Sequence, residues 1–243
     1  MLESNSSSKS CPASNNDAVS RRSFLGGSLV GVAGGILGAT AMEFLEPEVL
    51  LAQTNLTPDE SLQHLMEGNQ RFAADKLGNL GQSLNILRKH TVEKQEPFAA
   101  VLSCADSRVP VELVFDQTIG QIFVTRVAGN FVTPEIIGSL EYGAAVLGTK
   151  VILVLGHSSC GAVKATMQGK PVPGQISSLF SHIQPAVDIA HGNLETAIKE
   201  NAKIQAGLLA DSSPVLSEMV SGGKLKIVAG YYDLASGRVS ILS

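Results

Sequence analysis

The chain has 243 residues, 44% of them hydrophobic, with 18 Lys+Arg against 22 Asp+Glu for a net charge of -4. That is enough material for one sizeable apolar core, and no second domain is required. The basic residues are scattered, without a basic patch or an interleaving of basic and aromatic side chains, which argues against a nucleic-acid partner.

Residues 1–52 differ from the rest. Met1 to Asp17 is rich in Ser and Asn, a composition expected to be disordered. It leads into Ser20-Arg21-Arg22-Ser23-Phe24-Leu25 and then an uncharged run of small and apolar residues from Gly26 to Met42. This is the arrangement of a twin-arginine export signal. Its glycines make it a poor membrane span, and Ala39-Thr40-Ala41 offers a cleavage site near 41, with a second near Ala52. The expectation is a leader over 1–52 and a mature domain over 53–243, placed in a periplasm or outside the cell, or tethered to the membrane if the leader is not cleaved. The alternative is a cytosolic protein with a basic turn before a helical anchor. Of three cysteines, Cys11 is lost with the leader, leaving Cys104 and Cys160.

Thr57-Pro58-Asp59-Glu60 is a helix start: Thr as N-cap, Pro in the first turn and Glu three residues after the cap. Leu62, Leu65, Met66, Asn69, Phe72 and Ala73 then recur at helical spacing, a stripe to be covered by the body of the domain or by a partner subunit. A second helix is predicted over about Ser83 to Lys94. Phe98-Ala99-Ala100-Val101-Leu102-Ser103 reads as a buried parallel strand. Pro110 to Phe115 follows as a short helix, and Gln121 to Val127 as the next strand. After Ala128-Gly129-Asn130 turns the chain, Thr133 caps a helix whose buried stripe is Ile136, Ile137, Leu140, Ala144 and Leu147.

Val151-Ile152-Leu153-Val154-Leu155-Gly156 is a second buried strand. Further helices are predicted at Ser158 to Cys160 onward, at Gln175 to Ala190 after the Pro171-Val172-Pro173-Gly174 turn, at Leu194 to Ala210, and near Pro214 to Val220. Strand Leu225 to Tyr232 and hairpin partner Arg238 to Leu242 close the sheet. Alternating strands and helices specify an α/β fold: a mainly parallel central sheet with helices on both faces and a C-terminal antiparallel edge strand.

The chemistry sits directly after the two buried strands, where open α/β sheets bind ligands. One delivers Cys104-Ala105-Asp106-Ser107-Arg108, the other His157-Ser158-Ser159-Cys160-Gly161. Two sulfurs and an imidazole from adjacent strand ends suit a zinc ion that keeps a fourth position open. Arg108 lies close enough to hold the Asp106 carboxylate in a bidentate pair, and a helix opening at Cys160 favours its thiolate. Each cluster alone is a weak signal; placed together after buried strands they make a strong one. A Cys104–Cys160 disulfide is the alternative, since an exported protein can form one, but it leaves Asp106, Arg108 and His157 without a purpose.

These motifs resemble those of the β-class carbonic anhydrases: Cys104-Ala105-Asp106-Ser107-Arg108-Val109-Pro110, Arg126 with Ala128-Gly129-Asn130, Gly138-Ser139-Leu140-Glu141-Tyr142-Gly143, and Gly156-His157-Ser158-Ser159-Cys160-Gly161-Ala162. The similarity runs from about Thr57 to the C-terminal hairpin. It implies one Zn2+ per subunit on Cys104, His157 and Cys160, with Asp106 either ligating the metal or paired with Arg108. The implied activity is that of a carbonate dehydratase, the reversible hydration of CO2 to bicarbonate by attack of zinc-bound hydroxide. It also implies a homodimer or dimer of dimers, with the active site at a subunit interface and the helix from Thr57 embracing the neighbour.

Further residues follow from the same resemblance: Gln95 at a substrate hydrogen-bonding position, Phe123 and Tyr142 lining the CO2 pocket, and Gly161 offering its N–H to a bicarbonate oxygen. As bare sequence, Phe123 and Tyr142 read as core and Gln95 as a solvated loop amide. Arg126-Val127 departs from the Arg-Asn of many relatives, and the absence of tryptophan implies no bicarbonate regulation of the type that uses one. His64, His90, His182 and His191 read as packed or solvated, one of them a possible proton shuttle. The rival functions are a CS2 or COS hydrolase with the same metal set and a non-catalytic metal-binding scaffold.

Overall fold

A computed structural model of the chain describes residues 54–78 and 84–243; the predicted leader over 1–52 and the start of the second helix at Ser83 lie outside them. The first helix, α1, runs Pro58–Ala73 and carries the predicted capping box: the Thr57 side chain accepts from the Glu60 amide, and the Glu60 carboxylate accepts from the Thr57 amide. Helix α2 spans Leu84–Thr91 and so stops before the predicted Lys94. Then follow β1 (Ala99–Ser103), α3 (Val111–Val114), β2 (Ile122–Arg126), α4 (Pro134–Glu141), β3 (Val151–His157), α5 (Gly161–Gln168), α6 (Phe180–Ile189), α7 (Leu194–Ser212), α8 (Pro214–Ser221), β4 (Lys226–Tyr232) and β5 (Val239–Leu242).

The five strands form one sheet in the order β2-β1-β3-β4-β5, parallel except for the antiparallel β4–β5 pair. This is the predicted architecture. β1 and β3 are buried along their whole length, which is why both read as unbroken apolar runs rather than as alternating strands. Their side chains divide by parity. Val101, Leu153 and Leu155 pack with Leu65 of α1 and Val111 and Val114 of α3 on one face. Leu102, Ile152 and Val154 pack with Leu140 of α4, Leu209 of α7 and Leu216 of α8 on the other.

Helix α1 is seated on its own chain. Asn69, the polar member of its stripe, is buried. Its amide donates to the Val114 and Gly237 carbonyls at 3.1 and 2.9 Å, and its oxygen accepts from the Val239 amide at 2.8 Å. One carboxamide thus ties α1 to α3 and to the β4–β5 hairpin. Beside it, a Cβ on Gly68 would stand 1.9 Å from the Phe115 carbonyl oxygen. Alanine would gain about 1 kcal/mol of helix propensity, but backbone cannot yield as a side chain does, and overpacking of this kind costs about 1–3 kcal/mol or more. Gly68→Ala is therefore expected to lower stability to urea by about 2 kcal/mol; a midpoint equal to or above that of the parent would show that α1 does not lie against Phe115.

Two stretches depart from the predicted helices. The segment expected as one helix from Gln175 begins as a 3-10 turn over Gly174–Leu179 and becomes α-helical only at Phe180. Within it Ser178 Oγ donates to the Gln175 carbonyl at 2.8 Å, a local bond that competes with the regular helical ladder. The helix begun by α4 widens into a π turn over Tyr142–Val146, where the Leu147 amide reaches back to the Tyr142 carbonyl at 3.1 Å. Such turns recur at functional sites.

Candidate metal centre

β1 and β3 are neighbours in the sheet, with Ser103 level with Leu155. The chain after β1 and the last residue of β3 therefore emerge side by side. Cys104 follows β1 directly, and His157 ends β3. Ser159 takes a left-handed conformation at φ 57°, which folds the chain back so that Cys160 arrives as the N-cap of α5. A residue other than glycine held in that region is strained, and such strain concentrates at functional positions. The turn is tied down by the Ser158 amide donating to the Tyr232 carbonyl at 2.8 Å and by Ser158 Oγ accepting from the Leu234 amide at 2.9 Å.

Cys104, His157 and Cys160 converge, all three buried, with their ligand atoms within 4.8 Å of one another. The two sulfurs are free thiols 3.9 Å apart, not joined in a disulfide. Two thiolates on one tetrahedral zinc stand about 3.8 Å apart, given zinc–sulfur bonds of about 2.3 Å; the observed spacing fits. His157 Nδ1 lies 3.0 Å from the Ser158 carbonyl oxygen. A carbonyl only accepts, so Nδ1 carries the proton and Nε2 presents its lone pair. Nε2 is buried and has no hydrogen-bond partner, an orientation typical of a metal-ligating imidazole. An orphaned buried nitrogen beside two sulfurs is a donor set suited to a metal ion such as zinc.

The two thiols are hydrogen-bonded to each other, Sγ to Sγ at 3.9 Å. The Cys160 S–H bond pulls the Cys104 pKa well down, helped by His157 and the Gly129 amide. Cys160 is pushed up by Cys104 and by its own burial. The Ala162 and Val163 amides at the helix start favour the Cys160 thiolate, as expected, but the Cys104 sulfur 3.9 Å away and burial outweigh them.

Asp106 is clamped as predicted. Arg108 donates to it through its backbone N–H at 2.9 Å, Nε at 2.9 Å and Nη2 at 2.7 Å. The guanidinium holds the Asp106 carboxyl far below the usual carboxylate range, against a smaller opposing effect of burial. Oδ2 lies 3.8 Å from His157 Nε2, beside the three buried donors. Arg108 also reaches the Ser159 carbonyl at 3.3 Å, linking the two strand-end loops.

The other predicted site residues are placed differently. Gly161 opens α5 beside Cys160, with open space where a Cβ would stand. Gln95 is exposed on the stretch between α2 and β1. Phe123 and Tyr142 pack on each other at the β2 edge, ring centroids 6.3 Å apart, with Phe123 in a cluster separate from that of the two cysteines. The core reading of Tyr142 is wrong, since it is 47% exposed. His64 packs on Phe98 and His182 stacks on Phe131, 4.3 Å between centroids.

Two contributions come from residues that the sequence placed in a motif without giving them a role. Arg126 donates to the carbonyls of Cys104 and Asp106 at 3.0 and 2.6 Å, gripping the loop through main-chain atoms that any residues would supply. The Gly129 amide donates to Cys104 Sγ at 3.3 Å.

Residues 99–239 match the family model described as carbonic anhydrase. The chain is 34% identical over 192 residues to carbonic anhydrase 2 of Mycobacterium tuberculosis, covering 76% of this chain and 92% of that protein. It is 32% identical over 197 residues to the carbonic anhydrase of Mycolicibacterium smegmatis, covering 78% and 95%. Among solved structures, the Coccomyxa β-carbonic anhydrase in complex with acetazolamide aligns with a TM-score of 0.60 at 26% identity over 74% of this chain and 86% of that one. A tetrameric β-carbonic anhydrase of Sordaria macrospora shares the fold, with a TM-score of 0.61 at 21% identity over 76% and 98%.

Proposed function

The chain belongs to the β-class carbonic anhydrase family, and from that premise we propose that it holds one zinc ion per subunit on Cys104, His157 and Cys160 and catalyses the reversible hydration of CO2 to bicarbonate and a proton. The observation that carries the reading is the buried, unpartnered Nε2 of His157 facing two free sulfurs 3.9 Å apart. Zinc bound there would supply Lewis-acid activation of water, lowering its pKa to about 7.

The chain's own residues do the rest. Asp106, ionised and pinned by Arg108, is an acceptor-only group beside the three buried donors. It accepts a hydrogen bond from the attacking water and so turns the oxygen lone pair toward the carbon of CO2. Released from Arg108, the same carboxylate, 3.8 Å from His157 Nε2, would be available to bind the metal in place of water, a two-state arrangement set by which cation it pairs with. Gly161, at the N-terminus of α5, offers its amide to the oxygen of bicarbonate.

The proposed assembly is a homodimer or dimer of dimers. Supporting it, β2 is an edge strand with Ile122, Phe123 and Val124 only half-buried, beside the exposed Tyr142; an apolar sheet edge of this kind calls for a partner. Phe123, Tyr142 and Gln95 are then assigned to an apolar CO2 pocket completed across the interface. Export by the twin-arginine route, supported by Arg21-Arg22 and the apolar run after them, places the enzyme outside the cytoplasm.

Cell fractionation, followed by metal analysis and assays with CO2, COS and CS2 on the recovered chain, tests the reading. The expected result is a shortened chain outside the cytoplasmic membrane carrying one zinc per subunit and hydrating CO2 fastest. Metal-free protein, or turnover of COS or CS2 but not CO2, would overturn the catalytic assignment. A full-length chain confined to the cytoplasm would overturn the export assignment.

A further inference from the structure

The Cys104 sulfur receives the Gly129 N–H at 3.3 Å, and the direction of that N–H depends on how the loop around it is held. Gly129 sits at φ 90°, and a Cβ there would stand 2.6 Å from Ile183 Cδ1, so no other residue can take its place unchanged. The loop is gripped from α7. Asn201 Nδ2 donates to the Gly129 carbonyl at 2.9 Å, and Gln205 Oε1 accepts from the Val132 amide at 2.9 Å. Gln205 Nε2 reaches the His182 carbonyl at 3.1 Å and Asn201 Oδ1 at 3.4 Å. Both side chains are 1% exposed.

Two carboxamides one turn apart on a helix face otherwise buried through Ala197, Ile198, Ala202 and Leu209 are a poor choice for packing, because buried amides are unfavourable unless fully bonded. Here their hydrogen bonds converge on the 129–132 loop and on α6. We infer that Asn201 and Gln205 are positioning residues that aim the Gly129 amide at Cys104 and thereby set how firmly that sulfur holds its metal. The inference rests on the reading of Cys104 as a metal ligand. The physical link is that a donated N–H draws charge from a thiolate and fixes its direction, and partners of this kind typically govern metal affinity by about 10–100-fold.

The test uses the full chain loaded with zinc or with Co2+, and the variants Asn201→Leu, Gln205→Leu and, as a control, Leu209→Ala. The control weakens the packing of the same helix, in the cluster that Val132 also joins, without removing a hydrogen bond to the loop. Zinc release to a chromogenic chelator, measured below the melting temperature of every variant, is expected to be about tenfold or more faster in Asn201→Leu and raised in Gln205→Leu. The sulfur-to-cobalt charge-transfer band of both is expected at longer wavelength, with neither readout moved in Leu209→Ala. Unchanged release and an unshifted band in the soluble member of the Asn201/Gln205 pair would overturn the inference, as would an equal change in Leu209→Ala. Parent protein that takes up cobalt with no sulfur band overturns the ligand assignment itself, and this inference with it.

Discussion

Cys160→Ala is expected to purify without stoichiometric zinc and to leave CO2 hydration at the uncatalysed background, a loss of at least about a thousandfold. The site has three convergent donors among the described residues, all buried, and zinc held by protein at a catalytic centre needs three. Removing one sulfur leaves two donors and a void. The structural cost of the change is small by comparison: Cys160 lies among Phe131, Val163, Ile183 and Ile198, and losing one buried sulfur from such a cluster costs about 1 kcal/mol. The variant forgoes whatever stability bound metal adds to the folded chain, so it should fold about as well as the metal-free parent and lack the ion, which atomic emission on the purified chain and stopped-flow hydration assays read separately. Full zinc occupancy in Cys160→Ala would remove Cys160 from the ligand set.

Asp106→Ala should behave in the opposite way, keeping its zinc and losing about 10²–10⁴ in kcat/KM, the range for a group that accepts or orients a proton in the transition state. The three buried donors do not depend on Asp106, whose carboxylate is bonded to Arg108. Arg108→Ala should also lose rate while retaining metal, because an unclamped carboxylate is free to move toward the ligand position. If the two residues act as one unit, the double variant will be no slower than the slower single one. Losses that multiply would mean separate roles. An Asp106→Ala enzyme with parental turnover would leave the carboxylate without a catalytic function.

Much of this was legible because the chemistry follows the strands. β1 and β3 announce themselves as uninterrupted apolar runs, and the residues after them, Cys104, Asp106, Arg108, His157 and Cys160, are of types that rarely share a strand end by chance. The caps at Thr57 and Thr133 were equally plain, since side chain and position coincide. What escaped is what the main chain does. The Gly129 amide on Cys104, the carbonyls gripped by Arg126 and the π turn at Tyr142–Val146 depend on peptide groups every residue carries. The exposure of Tyr142 follows from its place at a sheet edge, which pattern along the chain does not encode. Asn69 was counted in an apolar stripe, and only the structure reveals it as the knot between α1, α3 and the hairpin.

The imidazole of His157 takes its tautomer from the carbonyl of its own successor, Ser158, rather than from a carboxylate elsewhere in the fold. Any amino acid at 158 brings the same oxygen. Heritable drift at that position can therefore disturb the turn through the lost hydroxyl but cannot delete the acceptor, and the nitrogen facing the sulfurs is insulated from a whole category of genetic lesion to which the Asp106–Arg108 pair stands open.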